Sequence, residues 1–146
     1  MVPNWYLDMS EIIKYWDGNQ RVYHHTAPIN MMYALYQSLL DVAEEGLENV
    51  LKRHEEAHLL LVDGLEEIGL QMLVDQDCRL PSLNAIKIPE GIDDFDIRKK
   101  LLYDYDIEIG GGLGPFAGKV WRVGLMGHSA NKDNVQRLVG ALKELI

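Results

Sequence analysis

Apolar residues recur with a helical period in four stretches of the chain and with a period of two in four others, and their order predicts the fold. The first helical stretch runs from about Pro28 to Glu45, with Ile29, Met32, Tyr33, Tyr36, Leu39, Leu40 and Ala43 on one stripe. Pro28 suits a first helical turn and Thr26 stands just upstream, where caps occur. Gly46 interrupts the pattern, which resumes from Leu47 to Ile68 with Leu47, Val50, Leu51, His54, Ala57, His58, Leu61, Leu65 and Ile68 in line. Gly69 is placed to end that helix. The polar face of Glu48, Lys52, Glu55, Glu56 and Asp63 reads as a solvated face.

Beyond Gly69 the period changes. Leu70–Val74 predicts a short strand, and Asp75–Pro81 a loop containing Cys78. Ser82–Ile88 alternates Leu83, Ala85, Lys87 against Asn84, Ile86, Ile88, as a strand does. Asp94–Asp104 predicts a helix, Ile107–Ile109 and Val120–Met126 two strands around a glycine-rich turn, and Asn131 the cap of a last helix carrying Val135, Leu138, Val139, Leu142 and Leu145. The sum is an α+β domain: a small, mostly antiparallel sheet with helices packed on one side, preceded by a long helix.

The N-terminal stretch is different. Pro3-Asn4-Trp5-Tyr6-Leu7 begins on large aromatics, and Tyr15 and Trp16 add to them before the turn signal Asp17-Gly18-Asn19. A free terminus usually frays, so this aromatic load predicts a segment that packs on something, within this chain or outside it. Residues 1–27 are therefore expected to belong to a different body from 28–146.

Composition narrows the functional classes. A net charge of −9 argues against nucleic acid as a bulk partner. No apolar run approaches the roughly 18–20 residues of a membrane span. The acidic start has no basic n-region, so no signal peptide is expected. A single cysteine, Cys78, excludes an internal disulfide and suits a reducing cytoplasmic compartment.

Several motifs carry possible chemistry. Gly112-Leu113-Gly114-Pro115-Phe116-Ala117 fits a loose GxGxxA pattern, but Pro115 and Gly118 intervene and a strand follows where a helix is required. A phosphate loop fails because Val120 follows Lys119 and Leu113 stands where its first glycine should. Gly110, Gly111 and Gly112 do permit close backbone approach to a ligand. His24-His25 lacks neighbours at zinc spacing. His54-Glu55-Glu56-Ala57-His58 literally matches HExxH, but the later histidine, His128, follows a strand, and the short pattern arises by chance in glutamate-rich helices. No metal is expected, and His54 and His58 read as a solvated or half-buried helix face.

Arg122 is the charge that stands out, placed between Trp121 and Val123 in an otherwise apolar strand. Such a guanidinium needs an anion. Two partners are open: a protein carboxylate such as Glu108 or Asp106, or the carboxylate of a ligand gripped by the bidentate fork.

Four stretches, in order and at matching spacing, carry a resemblance that runs from about Trp5 to the end of the chain. They are Tyr23-His24-His25-Thr26-Ala27-Pro28, Arg79-Leu80-Pro81-Ser82, Ile107 through Gly114, and Trp121-Arg122-Val123-Gly124-Leu125-Met126-Gly127. They resemble the C-terminal part of a class V (fold type I) aminotransferase of the alanine–glyoxylate or serine–pyruvate type. The resemblance implies pyridoxal 5'-phosphate as cofactor and amino-group exchange between a small amino acid and a 2-oxo acid. It implies that Arg122 binds the substrate carboxylate, that Tyr23 and Thr26 hold the cofactor phosphate of the opposite protomer in a homodimer, and that Gly110–Gly114 lies near the substrate carboxylate. The Schiff-base lysine of such enzymes lies upstream of the segment resembling Trp5–Asp8, in a large domain. This chain is expected to need that domain, in cis or in trans, and to be inactive alone. Lys119 is near the glycines, but nothing in the resemblance gives it the lysine's role. A free-standing α+β module that binds a carboxylate ligand or a partner protein is the alternative.

Overall fold

The computed structural model describes residues 4–18, 20 and 22–146. Pro3 and Asn19, which belong to two of the N-terminal signals above, lie outside the described residues. The chain divides into two units between Glu44 and Glu45, and each is taken by itself.

The first unit opens with short helical turns whose caps are legible in the sequence. Asn4 caps a 3-10 turn at Trp5–Leu7, and Asp8 caps α1 (Met9–Ile12) through the Ser10 N–H. A second 3-10 turn, Ile13–Tyr15, follows. Residues 22–28 are irregular and lead into α2 (Ile29–Glu45), where the Pro28 carbonyl accepts from Met32 N–H at 3.0 Å. The side chain of Thr26 is bonded to the Tyr23 hydroxyl. No residue of α2 is buried, so its apolar stripe is formed but uncovered.

The second unit begins at Glu45; Gly46 adopts a positive φ and breaks the helix, and α3 (Leu47–Glu67) follows. Its stripe is covered only from Ala57 onward; Leu47 and Leu51 stay exposed. At its end Gly69, also at positive φ, allows paired return bonds: Leu70 N–H to Leu65 carbonyl and Gly69 N–H to Glu66 carbonyl. After β1 (Gln71–Met72) and β2 (Leu83–Lys87) comes α4 (Asp94–Tyr105), capped by Asp93, whose carboxylate accepts from Asp96 N–H at 2.7 Å. Then come β3 (Gly110–Gly111), β4 (Val120–Gly124) and α5 (Lys132–Leu145), the last capped by Asn131.

The four described strands form one antiparallel sheet in the order β1-β2-β4-β3. Pairing Asn84 with Val123 and Ile86 with Trp121 puts those four on one face, all buried. That face shares a core with Ala57, Leu61 and Leu65 of α3, Ile97 and Leu101 of α4, and Val135, Leu138 and Leu142 of α5. Fully buried leucines of this kind contribute about 1.5–3 kcal/mol each. The helices thus cover one side of the sheet, and the α+β expectation holds. The close approach of α3 and α5 requires Gly64, where a Cβ would meet Val139 at 2.9 Å.

One strand is displaced from its predicted place. The expected strand at Ile107–Ile109 forms at Gly110–Gly111 instead. Asp106 takes a left-handed conformation that closes α4, with Ile107 N–H bonded back to the Leu101 carbonyl, so the chain is still leaving the helix at Ile107. Ile109 is spent on the core, and only the glycines reach β4.

Candidate functional site

The candidate residues fall in both units. In the second, β4 presents Arg122 on the sheet face opposite the helices. Its register partners are Ala85 on β2 and Gly110 on β3, so the guanidinium is flanked by the smallest side chains the strands could offer. A Cβ on Gly110 would lie 3.3 Å from Arg122 Nη2 and 3.5 Å from Nε. Arg122 Nε donates to the Gly111 carbonyl at 2.7 Å. Among the described residues no carboxylate pairs with Arg122, Glu108 and Asp106 included. The two terminal nitrogens are left as an end-on fork, the geometry that takes a carboxylate through two parallel N–H···O bonds.

Behind the glycines sits a second guanidinium. Arg98 donates to Asp94 through Nε at 2.8 Å and Nη2 at 3.1 Å, and the fully buried Trp121 donates its indole N–H to the same carboxylate at 3.1 Å. The Arg98 hydrogen bond, outweighing the opposing effect of burial, holds the Asp94 carboxyl below its ordinary range, and the same bond raises Arg98. The close approach that three glycines permit is therefore used by the protein itself: Gly110 by Arg122, Gly111 by Arg98, and Gly112 by the Phe116 carbonyl.

The segment after β4 is tied down by α3. Arg53 makes a bidentate pair with Glu45 at 2.6 and 2.8 Å and donates to the carbonyls of Gly127 and Ala130. Both histidines of the HExxH match are engaged. His54 donates from Nδ1 to the Val50 carbonyl at 2.7 Å and accepts from Gly127 N–H at Nε2 at 3.2 Å. His58 is buried and donates from Nδ1 to Asn84 Oδ1 at 2.6 Å, while the Asn84 amide donates to the Pro81 carbonyl. His54 is the half-buried residue its pattern suggests; His58 is a core residue. Lys119 is exposed, with its backbone in the turn before β4.

In the first unit the hydroxyls of Tyr23 and Thr26 are bonded to each other and both residues are exposed. The intervening histidines are held from behind. Tyr15 Oη accepts from His25 N–H at 2.9 Å and also donates to the His25 carbonyl. Trp5 stacks on His24 with ring centroids 4.0 Å apart, and Tyr6 on His25 at 4.4 Å. The two Nδ1 atoms are hydrogen-bonded at 2.6 Å. The N-terminal aromatics thus buttress the irregular Tyr23–Thr26 segment, a role no local pattern revealed. Asp94, Arg98 and Arg53 also escape the sequence: the Asp94–Arg98 spacing is visible, but its partners are not.

Over nearly its whole length the chain is similar, in sequence and in fold, to the C-terminal part of class V aminotransferases. No family model matches it. Among curated relatives, the alanine–glyoxylate aminotransferase of Felis catus is 43% identical over 146 residues, covering 98% of this chain and 35% of its own length. A crystal structure of the alanine–glyoxylate aminotransferase of Nostoc sp. superposes with a TM-score of 0.91 at 50% identity, over 99% of this chain and 38% of that one. The ureidoglycine–glyoxylate aminotransferase of Bacillus subtilis gives 0.90 at 37% identity, over 98% of this chain and 37% of that one. The chain spans about a third of the length of the curated relatives it matches. No helix among the described residues is long and apolar enough to cross a membrane.

Proposed function

We propose that this chain supplies the substrate grip and part of the cofactor grip of a pyridoxal-phosphate aminotransferase. The reaction exchanges an amino group between a small amino acid, alanine or serine, and a 2-oxo acid, glyoxylate or pyruvate. Residues 1–27 are the end of the cofactor-binding domain, and 28–146 the long helix and small domain that follow it. The observation that carries this reading is the Arg122 fork: two guanidinium nitrogens with no carboxylate partner among the described residues, on the open face of the sheet, between Ala85 and Gly110. Arg122 binds the carboxylate common to both substrates and so fixes the α-carbon relative to the reacting centre.

The residues present suit the cofactor's phosphate. A phosphate dianion offers only acceptors, and Tyr23 and Thr26 place two hydroxyl donors side by side just ahead of the N-terminus of α2. In the homodimer they bind the phosphate of the opposite protomer. Pyridoxal phosphate, when bound, supplies the electron sink for the chemistry at the α-carbon. The anchoring lysine comes from the large domain, and Lys119 has no part in it. The free, exposed Cys78 accords with a cytoplasmic compartment.

The test is reconstitution. The chain is mixed with a polypeptide spanning the N-terminal two thirds of the Nostoc relative and with pyridoxal phosphate, and transamination of alanine with glyoxylate and of serine with pyruvate is followed. Neither polypeptide alone should turn over, and the mixture should. Turnover by the chain alone would overturn the dependence on a large domain. Binding of pyruvate without any rescue would favour a free-standing carboxylate-binding module.

A further inference from the structure

We propose that Asp94, Arg98 and Trp121 form a positioning group that aims the Arg122 fork through the backbone of Gly111. The proposal rests on the carboxylate-binding reading of Arg122.

Gly111 is held between two guanidinium groups. On one side a Cβ at Gly111 would lie 3.3 Å from each of three Arg98 atoms, Cζ, Nε and Nη2. Equal distances to three atoms of a planar group mean that the guanidinium presents its face to the space a Cβ on Gly111 would fill. On the other side the Gly111 carbonyl accepts from Arg122 Nε at 2.7 Å. Arg98 cannot swing away without breaking a bidentate pair with Asp94, and Asp94 is fixed in turn by the indole N–H of fully buried Trp121. Trp121 is also the register partner of Gly111 across the β3–β4 ladder. The chain of contacts therefore closes on itself: Trp121 to Asp94 to Arg98 to Gly111, and back to β4.

An ion pair four residues apart on a helix is ordinarily worth little. This one differs because its two ends meet the β3–β4 pair, Asp94 at Trp121 beside Arg122 and Arg98 at Gly111. Arginine has large rotamer freedom, and a fork that must meet a carboxylate in one orientation gains from losing that freedom beforehand. The bond from Nε does this and commits the terminal pair, rather than Nε and Nη2, to the ligand. Glycine at 111 suits this arrangement: a Cβ there would press on Arg98 at 3.3 Å and shift its guanidinium by a few tenths of an ångström.

The test uses the whole chain, 15N-labelled, with pyruvate as the probe. Arg122→Gln assigns the Arg122 Nε–Hε resonance by its loss. Wild type should show slow exchange of that proton with water and a shift of its resonance on adding pyruvate. In Arg98→Lys, and separately in Gly111→Ala, the proton should exchange about tenfold faster and pyruvate bind about tenfold more weakly, the scale of one charge-assisted hydrogen bond. The melting temperature monitors structure independently. A folded Arg98→Lys variant with unchanged Arg122 exchange and unchanged pyruvate affinity would overturn the proposal. If Arg98→Lys does not fold, Asp94→Asn, which keeps an acceptor for Trp121, is read in the same way. Absence of any pyruvate response in wild type would sink the carboxylate reading, and the exchange rates alone would then decide whether Arg98 positions Arg122.

Discussion

A Cβ on Gly112 would stand 2.0 Å from the carbonyl oxygen of Phe116, whereas one on Gly110 would stand 3.3 Å from Arg122 Nη2. The first neighbour is backbone and cannot yield; the second is the end of a long side chain. Gly112→Ala is therefore expected to destabilise the second unit by about 1–3 kcal/mol through overpacking. Gly110→Ala should leave the melting temperature nearly unchanged and weaken carboxylate binding. Thermal melts of the two variants, with a pyruvate titration of Gly110→Ala, check both.

The Asp94–Arg98 pair makes stability depend on pH in acid. Hydrogen bonding to Arg98 holds the folded-state pKa of Asp94 below the ordinary aspartate value. The ionised, paired form therefore adds stability that is fully present above the unfolded value. It is lost as the pH falls through the unfolded and then the folded value. Urea midpoints of wild type and Asp94→Asn between about pH 6 and pH 2 should differ at the upper end and converge at the lower. A difference that stays constant with pH would contradict the pair.

His58 and Asn84 satisfy each other inside the core. Asn84→Leu removes the acceptor of the His58 Nδ1–H and leaves a buried donor without a partner. The expected cost is about 1–3 kcal/mol in denaturant unfolding. A loss no larger than that of a typical surface substitution would show that His58 finds another acceptor.

α2 leaves its apolar stripe open, with Tyr33 about seven-tenths and Tyr36 about six-tenths exposed. An exposed apolar face of this length is expected to drive self-association of the isolated chain. Sedimentation velocity should show concentration-dependent oligomers that diminish in Met32→Glu/Tyr36→Lys. A monomer at every concentration would contradict this.

Much of this is legible in the chain because the physics is local. The alternation of Asn84 and Ile86 against Ala85 and Lys87, and of Trp121 and Val123 against Arg122, is a consequence of the pleat, and the structure reproduces it. Asn131 and Gly69 announce helix ends for equally local reasons. The strand at Gly110–Gly111 is not legible, because glycine carries no hydropathy signal and the pairing rests on backbone groups alone. The α2 stripe reads like any amphipathic helix, since periodicity reports which face is apolar and not what covers it. Arg122 announces itself as a lone charge in an apolar strand. Its bond to Gly111 and its lack of a carboxylate partner among the described residues depend on tertiary geometry. The Asp94–Arg98 spacing is a helix signature, but the link to Trp121, 27 positions away, is invisible without the fold. The phosphate-binding role of Tyr23 and Thr26 rests on the family resemblance alone.

The central claim is that Arg122 grips the substrate carboxylate. The most direct measurement is steady-state kinetics and cofactor affinity of Arg122→Ala in the reconstituted enzyme, with alanine and glyoxylate. Loss of a bidentate, charge-assisted contact is expected to lower kcat/KM by about a hundredfold or more while pyridoxal-phosphate affinity stays within about threefold. Equal losses in substrate use and cofactor binding, or no loss in either, would contradict the account.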